Sequence, residues 1–102
     1  MNWKLPAAII LAAMSTAAHA QDAVWRDGKD VARLTMGPCH AKVLQLIADP
    51  HRGRFRGAVV TIDGKQYLAC WMLHQGSLVY VHFEDGDNAL IPAHLFRQEP
   101  GV

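Results

Sequence analysis

Residues 60–71, "VTIDGKQYLACW", decide how this chain is read. Asp63-Gly64 is a pair favoured in two-residue hairpin turns, because both central positions of a type I′ turn need positive φ. It stands between two extended runs, "FRGAVVTI" (55–62) and "KQYLACWML" (65–73). A two-residue turn fixes the register. Ile62 then faces Lys65, Val60 faces Tyr67, Ala58 faces Ala69 and Arg56 faces Trp71. Further on, Gln75-Gly76 reads as a second two-residue turn into "SLVYVHF" (77–83). That turn sets Leu73 opposite Leu78, Trp71 opposite Tyr80, and Ala69 opposite His82.

Side chains alternate faces along a strand. One face of the three-stranded meander collects Phe55, Val59, Leu68, Cys70, Met72, Val79, Val81 and Phe83, almost wholly apolar. The other face carries Arg56, Tyr67, Trp71, Tyr80, His82 and Glu84.

Upstream, "VARLTM" (31–36) reads as a strand with Ala32, Leu34 and Met36 on one side. "GPCHAKVLQLIADP" (37–50) reads as a helix, with Pro38 at its first position and Asp49-Pro50 as its stop. At helical spacing, Cys39, Val43, Leu46 and Ile47 form one apolar stripe. Helical and extended periodicity thus place Cys39 and Cys70 in the same core. The expected fold is α+β: a small antiparallel β-meander with one helix packed on one face and a helix-to-sheet disulfide. Residues 21–30, "QDAVWRDGKD", read as a polar N-terminal arm, and 31–102 as a single small domain. The tail is expected to give a short strand at 89–91, a turn or short helical piece around 92–96, and a frayed end.

Residues 1–20 carry Lys4, the apolar run "LPAAIILAAM" and a small-x-small end at Ala18-His19-Ala20. This is the pattern of a secretory signal peptide. The apolar run falls short of the about 20 residues a spanning helix needs. The reading is therefore periplasmic or secreted, with no membrane span after cleavage. Without Lys4 the remaining nine Lys/Arg balance nine Asp/Glu, which excludes bulk attraction to nucleic acid. A domain of this size buries only about 60–65% of its unfolded surface. Two cysteines in a small exported chain read as a structural disulfide. The competing reading is two free thiols, with Cys39 reactive in the first turn of a helix.

"VYVHFEDGDNALIP" (79–92) crowds Glu84, Asp85, Asp87 and Asn88 around one glycine. Counted as a calcium loop from Asp85, it places Ala89, Leu90 and Phe96 where oxygen ligands and the obligatory glycine belong. A turn fits better, since Asp and Asn satisfy local backbone groups there. Five histidines follow the leader, at 40, 51, 74, 82 and 94, without the short spacing of a zinc site. A metal alternative would draw on His82, His94, Asp85 and Asp87. Ser77 lies outside any nucleophile motif, there is no glycine-rich phosphate loop, and paired catalytic carboxylates have no candidate outside the turn. The expectation is no enzyme and no cofactor. "HRGRFR" (51–56) reads as a solvated basic loop or as a contact for an anionic surface.

"VARLTMGPC", "VTIDGKQYLACW" and "VYVHFEDGDNALIP" together resemble a group of small exported proteins of proteobacteria and their phages. The shared pattern is a Cys, a Cys-Trp after a D-G-K hairpin, and an acidic E-D-G-D turn before Ile-Pro. The resemblance spans about residues 31–96 and implies export and phage association, with no catalytic or binding residues to transfer. The functional expectation is an exported, disulfide-stapled, non-catalytic binding or accessory module of the cell envelope. Its partner would be a protein or an envelope glycan, and the alternative is a weak zinc- or calcium-binding periplasmic protein. The candidate contact patch is Arg56, Tyr67, Trp71 and Tyr80, residue types that dominate interface hot spots. The alternative for that face is a structural role, covered by Trp25 of the arm or by Leu95 and Phe96 of the tail.

Overall fold

A computed structural model describes residues 21–100. The leader expected at 1–20 lies outside the described residues. Strands β1 (Gln21–Asp27), β2 (Asp30–Pro38), β3 (Arg56–Ile62), β4 (Lys65–His74), β5 (Leu78–Phe83), β6 (Asn88–Pro92) and β7 (Arg97–Pro100) form one sheet. Its order is β6-β5-β4-β3-β2-β1-β7, with antiparallel neighbours throughout. Strands β6 and β7 lie at opposite ends of that order, yet only residues 93–96 separate them in the chain. So short a link, with a 3-10 turn at Ala93–Leu95, requires the sheet to curl into a half-barrel.

The inner face holds the main core. Ala32, Leu34, Ala58, Val60, Ala69, Val79 and Val81 are buried there, flanked by Trp25, Trp71, Phe83, Ile91 and Phe96. Trp25 and Phe96 meet with ring centroids 6.3 Å apart and close the curl. Trp25 and Phe96 thus cover the face that carries Trp71, as the structural alternative for that face expects. The segment read as an arm is strand β1. Its Gly28 has φ of 64° and turns the chain directly into β2. The outward residues of β1 look polar in sequence because they are paired across the sheet. Arg33 meets Asp22 at 3.0 Å, and Arg26 meets Glu99 of β7 at 2.7 Å. The end read as frayed is β7, paired with β1 from Gln21↔Pro100 to Val24↔Arg97.

The hydrogen bond from Arg26 holds the Glu99 carboxyl below the ordinary carboxylate range, with the positive charges of Arg26 and Arg33 adding to it. A depressed acid stabilises the fold above its unfolded pKa and loses that contribution as pH falls through its folded value. The protection of β7 backbone amides, taken relative to their intrinsic exchange rates, is therefore expected to fall in acid ahead of that in β3 and β4. Glu99→Gln should show that lower protection already at neutral pH. Hydrogen-exchange NMR reads both, and unchanged β7 protection in the variant would remove the clamp.

The first hairpin has the expected register, from Arg56↔Trp71 to Ile62↔Lys65, with Asp63 and Gly64 at φ of 52° and 79°. The second does not. Gln75 and Gly76 have positive φ, but Ser77 is one residue extra, and His74 pairs with Leu78. A slip of one residue turns every side chain of β5 to the other face. Trp71 therefore faces Val81, not Tyr80, and Tyr80 pairs with Met72. Val79, Val81 and Phe83 join the inner core, while Tyr80 and His82 come to the face that carries Cys70.

The antiparallel sheet, the helix and the disulfide of the expected α+β fold are present, within a predominantly β half-barrel whose helix is short. Helix α1 spans Ala41–Leu44 only, and a 3-10 segment follows at Asp49–Arg54. Pro38 is not the helix start; it ends β2, paired with Arg56 beyond a bulge at residues 35–37. The bulge is tied by the Thr35 hydroxyl, which donates to the Gly57 carbonyl at 3.0 Å and accepts from the Gly37 N–H at 3.2 Å. It leaves Met36, expected on the apolar side, 68% exposed. Gly57 has no room for a side chain, since a Cβ there would lie 2.8 Å from the Pro38 carbonyl oxygen. Backbone must shift to admit one. Gly57→Ala is expected to destabilise by about 1–3 kcal/mol, the range for overpacking. Urea denaturation decides it, and an unchanged midpoint would show that the bulge is soft.

Cys39 and Cys70 are bonded, with Cα atoms 5.4 Å apart. Cys70 shares a second, smaller core with Val43, Ile47 and Phe55.

Strand directions alternate, so the turns at 28–29, 63–64 and 84–87 share one end of the half-barrel. Asp27, Asp30, Asp63, Glu84, Asp85 and Asp87 gather there against Lys29 and Lys65. The opposite end, built from 39–55, 75–77 and 93–96, holds Lys42, Arg52, Arg54 and Arg56 with Asp49 as its carboxylate. His40, His51, His74 and His94 lie at that end too.

Candidate functional site

A groove of about 570 Å³ opens on the outer face, between the 46–54 segment and strand β6. Its near wall exists because of local chemistry in a stretch too short to hold itself. Isolated helices of a few residues are unstable in water, so α1 depends on its ends and its anchors. His40 caps it, its Nδ1 accepting the Lys42 N–H at 3.1 Å. Val43 and Ile47 are buried against Phe55 and Cys70, and the disulfide fixes the preceding residue to β4. Leu46, read with them on one stripe, is 47% exposed because the helix has already ended. Arg52 then folds back, its Nε donating to the Ile47 carbonyl at 2.8 Å and its guanidinium meeting Asp49 at 2.7 Å.

The floor comes from the sheet. Met72 of β4 and Tyr80 of β5 are neighbours across the ladder, and Leu90 of β6 is the next in that row. The Phe55 and Tyr80 rings meet edge-on with centroids 5.9 Å apart. Such aromatic pairs contribute about 0.5–1.5 kcal/mol beyond area burial. The Tyr80 hydroxyl and His82 Nδ1 are 3.2 Å apart, so the one polar group of the floor is already engaged.

The rim is cationic or titratable. His51 and Arg54 stand on the near wall, His74 at the end of β4, and His82 on β5. Among the described residues no Asp or Glu lines the groove. Arg54, His51 and His74 are exposed, and among the described residues their side chains make no hydrogen bond or ion pair. Of the basic loop "HRGRFR", then, Arg52 is structural, Phe55 is core, and His51 and Arg54 remain available.

The expected contact patch does not survive as one surface. Arg56, Tyr67 and Trp71 share the inner-face side of β3 and β4, whereas Tyr80 lies behind them on the outer face. The Trp71 indole N–H donates to the Thr35 carbonyl at 2.8 Å. Tyr67 packs edge-on against Phe83 at 6.3 Å, with the Lys65 ammonium 5.2 Å from its ring centre. Arg56 makes a long contact to its neighbour's carbonyl, Phe55 O, at 3.5 Å.

Residues 84–87 form a turn. Gly86 has φ of 95°, the Asp85 carboxylate accepts the Asp87 N–H at 3.0 Å, and Glu84 accepts the Leu68 N–H at 2.8 Å. Among the described residues no three His, Cys, Asp or Glu side chains are grouped to hold a metal ion, so His82, His94, Asp85 and Asp87 do not assemble. Nor, among those residues, is any helix long and apolar enough to cross a membrane. No family model, curated protein or solved structure matches the chain.

The groove went unread in the sequence because it depends on the extra residue Ser77, which brings Tyr80 and His82 opposite Met72 and Cys70. The available signal was the three-residue string Gln75-Gly76-Ser77, since three-residue hairpin loops with a bulge are the next most common after two-residue ones.

Proposed function

We propose that the protein is an exported, disulfide-stapled, non-catalytic binding or accessory module of the cell envelope, and that the outer-face groove is its docking surface. In this reading it belongs with the small exported proteobacterial and phage proteins that it resembles. The α1 and 3-10 segment is the element laid on one sheet face, and the partner is an envelope component bearing negative charge beside an apolar part. The observation that carries the reading is the rim. Arg54, His51 and His74 surround an apolar floor without a partner of their own. Ligand sites are mostly apolar concavities of about 300–1,000 Å³ with a few placed polar groups, and the groove meets both terms. The disulfide supports export, since such bonds persist in oxidising compartments.

The test is association with native envelope fractions, followed by crosslinking, for the natural protein and for Arg54→Glu/Leu90→Glu. Both positions are exposed, so the fold should tolerate the change. The expected result is at least a tenfold loss of association with the melting temperature within a few degrees. Undiminished association would remove the groove as the docking surface.

A further inference from the structure

We infer that the groove holds a single-chain anionic amphiphile, with its alkyl or acyl chain along the floor and its head group at Arg54 and the rim histidines. The inference rests on the docking reading above and names its ligand. The floor selects the chain. It is built of Ile47, Phe55, Met72, Tyr80 and Leu90, side chains that are apolar apart from the Tyr80 hydroxyl. The Tyr80 hydroxyl is engaged by His82, and the Ile47 carbonyl by Arg52. A peptide brings an N–H and a C=O with every residue, and each needs a partner when buried. The side chains of this floor offer a buried peptide few partners, while a hydrocarbon chain asks for none. Met72 adds an adaptable thioether surface that tolerates a flexible occupant.

The rim selects the head group. Arg54 is permanently charged and suits a carboxylate, phosphate or sulfonate. His51 faces the groove from the same wall, His74 from β4 and His82 from β5; β6 contributes Leu90 and no charge. With no carboxylate in the lining, nothing neutralises these groups from within. The groove is walled on one side by the 46–54 segment, and Arg54 and the histidines stand on its rim.

The experiment is calorimetric titration of the full described domain with alkyl sulfonates of increasing chain length, each kept below micelle formation. Burial of a methylene is worth about 0.8 kcal/mol, or roughly fourfold in affinity. The expected result is a gain approaching fourfold per methylene until the groove is full. Chemical-shift changes should concentrate at Met72, Tyr80 and Leu90. Arg54→Ala should weaken binding about tenfold, and an alkyl trimethylammonium of equal length should bind at least tenfold more weakly. His51→Gln/His74→Gln should weaken binding further if the rim histidines contact the head group. Chain-length independence, equal binding of the cation, preference for an acidic peptide, or binding to anionic vesicles without binding to monomers would each overturn the inference. If amphiphiles fail while Arg54→Glu/Leu90→Glu still loses envelope association, the ligand assignment falls and the docking reading stands.

Discussion

Cys39→Ala/Cys70→Ala is expected to lower the melting temperature by about 15–30 °C. The bond joins residues 31 apart in sequence. Opening a loop of that length frees the unfolded chain by about 3–4 kcal/mol in the chain-entropy reckoning. Domains of this size lose about 4–8 °C per kcal/mol. Alanine is the right replacement at position 70, because Cys70 is fully buried and a serine hydroxyl would be left without a partner. The natural protein treated with a thiol reductant should shift downward as the double variant does. A drop of only a few degrees would show that α1 and the 3-10 segment hold their places without the bond.

The second large effect is expected at Trp71. The notion of a free aromatic patch makes Trp71→Ala nearly neutral for stability, but its position on the inner face does not. The ring is half-buried in the main core, and its indole N–H satisfies the Thr35 carbonyl inside the β2 bulge. Full truncation of a buried Trp costs about 3–5 kcal/mol. With partial exposure, about 2–4 kcal/mol is expected for Trp71→Ala. Trp71→Phe keeps most of the packing and loses the hydrogen bond, for about 1 kcal/mol. Tyr80→Ala, on the opposite face, should cost less in stability and act on the groove. Urea unfolding separates the three variants. A Trp71→Ala protein within 1 kcal/mol of the natural one would overturn the structural role, that threshold being about the size of a typical surface effect.

What was legible in the sequence follows the range of the physics involved. Asp63-Gly64 fixed its own hairpin because the requirement for positive φ is met inside the turn, and the register from Arg56↔Trp71 to Ile62↔Lys65 followed. The cysteine pairing was legible because two periodicities agreed on one core. Ser77 was not legible. A bulge is set by how β5 fits β4 and β6, and the Ser77 carbonyl is bound by the Ala93 N–H from beyond β6. That one residue exchanged Tyr80 for Val79 and Val81 between faces, so the expected patch was assembled from two sides of the sheet. Strand β1 was hidden because its outward residues pair with Arg33 and Glu99, far along the chain. The helix was overestimated because local propensity carried no knowledge of the bulge at 35–37 or the staple, which together claim Pro38 and Cys39.

Residues 21–102 carry nine basic and nine acidic side chains, so an isoelectric argument would call the domain inert toward charged media. Six of the nine acids stand with two lysines at the end of the 28–29, 63–64 and 84–87 turns and four of the nine basic residues stand with Asp49 toward the other, so the molecule is unevenly charged from end to end. It should be held by both anion- and cation-exchange resins at low salt, each resin gripping a different end, and be released from both as the Debye length shrinks. Near any anionic surface the field acts as a torque. The domain is then expected to turn its histidine-rich end toward that surface.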